Sequence, residues 1–184
     1  MKYVIRRLFL LLVSLACCVA LSSCGGDGNA NGNGNSKANV DQATASSGPD
    51  IPAYARSNDE RGAHKFAEYW IETLNKATTS GNTKKLKTLQ KKSCERCADF
   101  ASQIDRIYAA GGRVETQGFQ VKRLLTEAGV PKPGAGVSAT VQVTPQTVYR
   151  TKKAEPQQYT GSELRLRMIM VRVGDHWLMD RIDL

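Results

Sequence analysis

The clearest strand pattern in this 184-residue chain is LRLRMIMVRVGDHWLMDRI, residues 164–182. Its apolar and cationic residues alternate, and a period of two is typical of a strand with one buried face. Arg165 and Arg167 lie on one side, and the opposite, apolar side is formed by Leu164, Leu166, Met168 and Met170. Gly174-Asp175 has the composition of a two-residue hairpin turn. The segment therefore predicts two paired antiparallel strands.

Weaker alternation of the same kind precedes this hairpin. Apolar and polar residues alternate over 119–125 and again over 139–143. Proline and glycine at 131–136 and a polar stretch at 152–161 predict loops. Pro145 has no backbone N–H and therefore predicts an edge or a bulge in the strand that contains it. Together these segments predict a long antiparallel meander.

Helical periodicity dominates the part of the chain before residue 113. Over 61–78 the apolar residues recur at spacings of three and four, as on one face of a helix: Ala63, Phe66, Ala67, Trp70, Ile71, Leu74 and Ala77. Asn58 or Asp59 can cap its start. Two further helices are predicted over 83–90 and from Ser93 to the glycine pair 111–112. Helices followed by antiparallel strands predict an α+β fold, with the N-terminal helices packed on a curved sheet.

The first residues have the organisation of an export signal. Three cations, Lys2, Arg6 and Arg7, precede an apolar run over 8–21 that is too short for a comfortable membrane span. Small residues then lead to a cysteine in Leu21-Ser22-Ser23-Cys24. In this order the segment resembles the signal of bacterial lipoproteins.

That resemblance implies a lipid anchor. In bacterial lipoproteins the equivalent of the Cys24 thiol receives a diacylglycerol, the leader (here 1–23) is removed, and the new amine is acylated with a chain such as palmitate. Several acyl chains make a stable anchor, whereas one chain binds only marginally. Membrane lipid is then a partner, and the protein is expected at the outer face of the bacterial cell membrane. The alternative is an ordinary secretory leader with an incidental cysteine.

The rest of the chain divides into a tether and one domain. Residues 24–50 hold the lipidated cysteine and a stretch rich in Gly, Asn, Ser and Ala, which has too little apolar surface to fold and predicts a disordered tether. Residues 51–184 are long enough for a single extracytoplasmic domain. The net charge of +9 is moderate, and the sequence has no motif of a nucleic-acid-binding module, so no nucleic-acid partner is expected.

One cysteine pair could carry chemistry, Cys94-Glu95-Arg96-Cys97. Outside the cytoplasm a close pair is usually oxidised, so a structural disulfide between Cys94 and Cys97 is predicted. A catalytic dithiol is the alternative, because a helix N-terminus beside lysines favours a thiolate. A zinc site would need two more ligands, and the histidines His64 and His176 lack the usual spacing, so no metal and no cofactor are predicted.

Three further groups of side chains are candidates for a site. Trp70, Tyr108, Phe119 and Trp177 could line the mouth of a cavity, although aromatic residues at such spacings are more often part of a core. Asp99 and Asp105 could project toward the same cavity, or lie on a solvated helix face. A basic cluster of Lys84, Lys87 and Lys91 shares one helix face and could turn toward an anionic membrane, or could be an ordinary solvated surface.

The order of elements resembles the cone-shaped fold of the nuclear transport factor 2 superfamily, also called cystatin-like, whose last hairpin is similar to 173–179 here. The chain also resembles a family of uncharacterised actinobacterial lipoproteins defined as a domain of unknown function. The residues that carry this second resemblance are the lipobox, the tether, a Phe-x-x-Tyr-Trp-like helix at 66–70, a Thr-Ser-Gly-Asn segment at 79–82, the 94–97 motif and Tyr108-Ala109-Ala110-Gly111-Gly112. The resemblance implies an envelope location and no established activity.

These observations predict a lipid-anchored envelope protein without a catalytic residue. Its domain is expected to bind an envelope protein, a small ligand or a cell-wall component. The alternative is an envelope enzyme, either a thiol-disulfide protein that uses the cysteine pair or a pocket enzyme on the same fold.

Overall fold

A computed structural model describes residues 49–184; the predicted leader, Cys24 and the predicted tether up to residue 48 lie outside this part of the chain. A single 3-10 turn, Ala53–Ala55, comes first. Three helices follow it: α1 (Glu60–Ser80), α2 (Lys84–Thr88) and α3 (Glu95–Ala109). Seven strands complete the domain: β1 (Gly111–Thr116), β2 (Phe119–Glu127), β3 (Gly134–Val143), β4 (Gln146–Thr151), β5 (Gln157–Tyr159), β6 (Ser162–Val173) and β7 (His176–Asp183). The predicted α+β class is confirmed.

The strands form two antiparallel sheets. The larger sheet has the order β2-β3-β6-β7, and the smaller has the order β1-β4-β5. The chain leaves the larger sheet after Val143 and enters the smaller one at Gln146, and Pro145 lies in this connection. Because proline cannot donate to a strand ladder, it separates two strands here. The expected meander is thus divided between two sheets, and the predicted loop at 152–161 contains the short strand β5.

The C-terminal hairpin forms as the sequence predicts. Val173 pairs with His176 across the turn, and Gly174 has a φ of 58°, the left-handed conformation that glycine adopts without strain. The predicted apolar side of β6 is directed inward, with Leu166, Met168 and Met170 at 1%, 0% and 0% exposure.

The ends of α1 follow from its sequence. Asp59 accepts a hydrogen bond from the Gly62 backbone N–H at 2.7 Å, and Gly81 ends the helix with a φ of 75°. The buried stripe of α1 contains every apolar residue predicted for it, from Ala63 to Ala77. The short helix α2 contributes Leu86 and Leu89, both fully buried.

The helices pack on both sheets. α1 lies against β2 and β3 of the larger sheet and β1 of the smaller one, and α3 touches β7 of the larger sheet and β1 and β4 of the smaller one. One continuous core joins them, with Phe66 and Trp70 from α1 and Met179 and Ile182 from β7. Because residues 49–184 enclose their own core, we expect this part of the chain to fold independently. No helix within it is both long and apolar enough to cross a bilayer.

Candidate functional site

A cleft with a volume of about 560 Å³ opens between α3 and the smaller sheet. This volume is within the range of roughly 300–1,000 Å³ that small-molecule sites occupy. Its lining comes from α1, α3, β1, β2, β4 and β5 and consists of Leu74, Thr78, Phe100, Gln103, Ile104, Arg106, Ile107, Val114, Phe119, Gln146, Val148, Arg150 and Tyr159.

The helical period of α3 and the strand period of β4 determine which of their side chains face the cleft. On α3 the lining residues Phe100, Gln103, Ile104 and Ile107 are three, four and seven positions apart and therefore share one helix face. On β4 the lining residues are Gln146, Val148 and Arg150, which alternate and therefore lie on one face of the sheet. The cleft is the space between these two faces.

An aromatic row connects the cleft with the core. The Phe119 ring meets the Phe100 ring edge-on, with centroids 6.4 Å apart, and Phe100 meets Trp70 in the same manner at 6.1 Å. Asn75 holds Phe119 from the side of α1: its Nδ2 donates to the Phe119 carbonyl at 2.9 Å, and its Oδ1 accepts from the Phe119 N–H at 2.8 Å. The position of Phe119 in the cleft is thus determined by the backbone of β2 and by α1.

Gly118 is required for this arrangement. Its φ is 81°, and a Cβ atom at this position would lie 2.3 Å from Asn75 Oδ1. Any other residue would displace the side chain that holds Phe119, so glycine is needed here both for conformation and for space.

The polar part of the cleft is cationic. Arg150 donates from Nε to Gln157 Oε1 at 2.8 Å and from Nη2 to the Tyr159 hydroxyl at 3.1 Å. Arg106, in the last turn of α3, is the second arginine of the lining. No carboxylate of residues 49–184 lies within ion-pair distance of either guanidinium group, and the lining itself contains no acid.

Neither candidate acid lines this cleft. Asp105 accepts from the Thr83 hydroxyl at 2.6 Å and from Lys87 Nζ at 2.6 Å, so it links α3 to α2. These two hydrogen bonds, the one from Lys87 above all, hold the pKa of Asp105 below its ordinary value. Asp99 is exposed and borders a separate surface depression beside Asp180 and Arg181.

The four aromatic candidates do not form one group. Phe119 lines the cleft, but Trp70 and Trp177 are 0% and 3% exposed and belong to the core, which corrects their assignment to a cavity mouth. The Trp177 indole N–H donates to the Ser57 carbonyl at 2.9 Å. The Tyr108 hydroxyl donates to the carbonyls of the last turn of α1, so this residue fixes the end of a helix.

Cys94 and Cys97 form a disulfide, with their Cα atoms 5.3 Å apart. Cys94 is the N-cap of α3, and both residues are buried, at 1% and 0% exposure. The segment just before the pair runs beside β7, where the Lys91 N–H donates to the Met179 carbonyl at 2.8 Å. The disulfide thus fixes the start of α3 against the edge of the larger sheet. Thiol exchange requires access to a sulfur, which this burial restricts.

Ion pairs reduce the charge of the predicted basic cluster. Lys87 Nζ lies 2.6 Å from Asp105 Oδ2, and Lys91 Nζ lies 2.7 Å from Asp180 Oδ1. Two of the three lysines that were candidates for a membrane contact, which included Lys84, are therefore paired with acids.

The two histidines occupy separate places. His64 Nε2 lies 3.0 Å from Thr126 Oγ1, and His64 is not among the residues that line the cleft. The side chain of His176 is only 12% exposed and contacts Asp175, so it is less solvent-facing than its place beside a turn suggests. Within residues 49–184 no group of three or more His, Cys, Asp or Glu side chains could hold a metal ion.

Sequence reasoning missed most of the cleft. Arg106, Arg150, Tyr159 and the two glutamines were not candidates. For Gln146 and Arg150 a signal exists in the alternation of Gln146-Thr147-Val148-Tyr149-Arg150, whose β-branched and aromatic residues favour a strand after Pro145.

Comparison with protein-family models identifies the family of this chain. The model of a family of unknown function, DUF6318, matches residues 39–183. The chain belongs to this family. The resemblance to a domain of unknown function seen in the sequence is thereby confirmed. No curated protein matches this DUF6318 member in sequence.

Solved structures of distant proteins are similar to this chain. The intermembrane space region of the chloroplast protein ARC6 matches with a TM-score of 0.53 and 12% identity, covering 68% of the DUF6318 chain and 95% of its own. A cystatin-like protein from Caulobacter vibrioides has a TM-score of 0.43 at 9% identity, covering 65% and 85%. An NTF2-like protein from Novosphingobium aromaticivorans has a TM-score of 0.39 at 15% identity, covering 65% and 78%. At 12% identity, the likeness to the ARC6 region concerns the fold alone.

Proposed function

We propose that this DUF6318 protein is a lipid-anchored binding module of the cell envelope, which holds the apolar part of a small ligand in the cleft between α3 and the smaller sheet. The observation that carries the proposal is the apolar interior of an open cleft, formed by Leu74, Phe100, Ile104, Ile107, Val114, Phe119 and Val148. A ligand that covers this surface gains roughly 25 cal/mol per Å² of apolar area removed from water.

The chemistry of the lining supports binding without catalysis. The lining residues include no histidine, cysteine, aspartate or glutamate, the side chains that most often serve as general bases or nucleophiles near neutral pH. The cysteine pair is oxidised and buried on the other end of α3. For these reasons we favour a binding module over the two kinds of envelope enzyme.

A titration with dodecanol tests the proposed cleft. The fragment 39–184 should bind this uncharged single-chain alcohol, and Ile107→Trp, which fills the cleft from α3, should abolish the binding. Leu178→Trp is the matched control, because Leu178 is a half-buried residue of β7 outside the cleft lining. Thermal unfolding checks that both variants fold. Equal loss of binding in the two variants, or no loss in either, would contradict the proposal.

The proposed lipid anchor requires the leader and Cys24. The proposal predicts that the full chain, expressed in a bacterium that processes lipoproteins, incorporates an alkyne analogue of palmitate and sediments with membranes. Cys24→Ser should remove both properties, whereas Cys18→Ser, within the leader, should leave them unchanged. Labelling that survives Cys24→Ser would place the lipid elsewhere and contradict this part of the proposal.

A further inference from the structure

We infer that the ligand of this cleft is a single-chain amphiphile with a carboxylate head, of the fatty-acid class, whose head is held by Arg150 at the cleft mouth. This inference rests on the proposed function, since it names the chemistry of the ligand for that same cleft.

The charge of the lining favours an anion. Arg106 and Arg150 both line the cleft, and none of the lining residues is acidic. A guanidinium group without a carboxylate partner beside an apolar surface is a site for a carboxylate, which it can bind with two parallel hydrogen bonds. A neutral or cationic head would leave this charge uncompensated.

Arg150 is held in place before any ligand binds. Its Nε and Nη2 donate to Gln157 and Tyr159, and the Tyr159 hydroxyl donates to Gln157 Oε1 at 2.9 Å. An arginine has five N–H donors, and no acceptor of residues 49–184 engages the Nη1 group of Arg150. These donors remain for a ligand, and the two fixed contacts reduce the entropy lost when the ligand binds.

The solvent exposure of the lining residues indicates how the ligand is oriented in the cleft. Val148 and Ile104 are buried, at 7% and 6% exposure, whereas Tyr159 is 45% exposed and Arg150 is exposed as well. Arg150 lies two positions beyond Val148 on the same face of β4. The apolar chain therefore lies inside against α3 and Phe119, and the head lies at the mouth beside β5.

The volume is that of one small ligand. About 560 Å³ is within the range of drug-sized ligands. This favours a single acyl chain with a compact head as the occupant.

Three probes with the same chain separate the head from the tail. Calorimetric titrations of fragment 39–184 with dodecanoate, dodecanol and dodecyltrimethylammonium, all below their micelle concentrations, compare an anionic, a neutral and a cationic head. We expect dodecanoate to bind roughly tenfold more tightly than dodecanol, a ratio that corresponds to about 1.4 kcal/mol, and the cation to bind most weakly. The preference for dodecanoate should fall with added salt, because exposed charges are screened.

Variants assign the preference to one residue. Arg150→Gln should bring dodecanoate to the affinity of dodecanol, and Arg150→Lys should retain part of the preference. Arg113→Gln is the control, because Arg113 stacks on Tyr149, 3.5 Å from its ring centroid, and does not line the cleft. Thermal unfolding confirms that each variant is folded.

The outcomes are distinguishable. Equal affinity for dodecanoate and dodecanol would overturn the carboxylate inference. A preference that survives Arg150→Gln would overturn the assignment of the head to Arg150. Either result would leave the apolar site intact. Failure of all three probes to bind would overturn the proposed function itself.

Discussion

Asn75 and Phe119 are joined across 44 positions of sequence by a pair of hydrogen bonds. The Asn75 side chain satisfies both the N–H and the C=O of Phe119, in the way that a neighbouring strand would. The first residue of β2 is therefore held by a helix, and its ring is placed in the cleft.

Replacing Asn75 tests this link. Asn75→Ala leaves two half-buried backbone groups without their partner, so we expect the free energy of unfolding to fall by about 1–3 kcal/mol. Urea unfolding measures the change, and Lys76→Ala, at an exposed position of the same helix, is the control. A variant as stable as the control would show that water replaces the Asn75 contacts without cost.

Gly62→Ala should destabilise the domain although alanine is the better helix former. The propensity of alanine favours it by about 1 kcal/mol, but a Cβ atom at Gly62 would lie 1.9 Å from the Ser57 carbonyl oxygen. Relieving that overlap requires the backbone before α1 to move, and we expect a net loss of stability of about 1–3 kcal/mol. Thermal unfolding measures whether Gly62→Ala raises or lowers the melting temperature. An increase would contradict the packing described for this turn.

Removing the disulfide should have a modest effect on stability. The loop between Cys94 and Cys97 is short, so loss of the cross-link in Cys94→Ala/Cys97→Ala should cost about 2 kcal/mol by the chain-entropy relation. Both cysteines are buried, so the disulfide should be slow to reduce in the native fragment and fast to reduce in denaturant. Alkylation followed by mass spectrometry measures both rates. Rapid reduction under native conditions would contradict a structural role and favour a redox one.

Asp105 should give the domain a pH-dependent contribution to stability. Its pKa is lowered in the folded state by the hydrogen bonds from Lys87 and Thr83. The contribution is therefore present above the unfolded-state value of about 3.9 and is lost as the pH falls through the lower, folded-state pKa. Urea unfolding of the parent and Asp105→Asn from pH 7 to pH 3 should show the parent more stable near neutrality and the difference shrinking toward pH 3. A constant difference over this range would contradict the role given to the ionised carboxylate.

Much of the fold could be predicted because it depends on local pattern. The cap at Asp59, the stop at Gly81 and the hairpin at Gly174 each depend on a few adjacent residues. The buried side of β6 follows from a period of two that continues over the whole strand.

The cleft depends on contacts that no local pattern contains. Phe119 is held by Asn75, which lies 44 positions earlier. Pro145 predicted an edge or a bulge in a strand, but it did not indicate that the chain changes sheets there. The sequence does not distinguish Arg150 from other surface arginines. Its partners Gln157 and Tyr159 belong to β5, and a strand of only three residues is too short to be predicted from alternation. Trp70 and Trp177 were candidates for a cavity mouth as well as for the core, because aromatic residues suit both. Only the packing of both sheets distinguishes the two.

Above all, we propose that the cleft between α3 and the smaller sheet binds the apolar chain of a small ligand. The most direct measurement is a nuclear magnetic resonance titration of labelled fragment 39–184 with dodecanoate, followed at assigned backbone amides. We predict that the shifts concentrate at Ile104, Phe119 and Val148 and at Arg150 beside the mouth. Shifts confined to the opposite side of the larger sheet, at Ile169 and Leu178, or no shifts at saturating ligand, would contradict it.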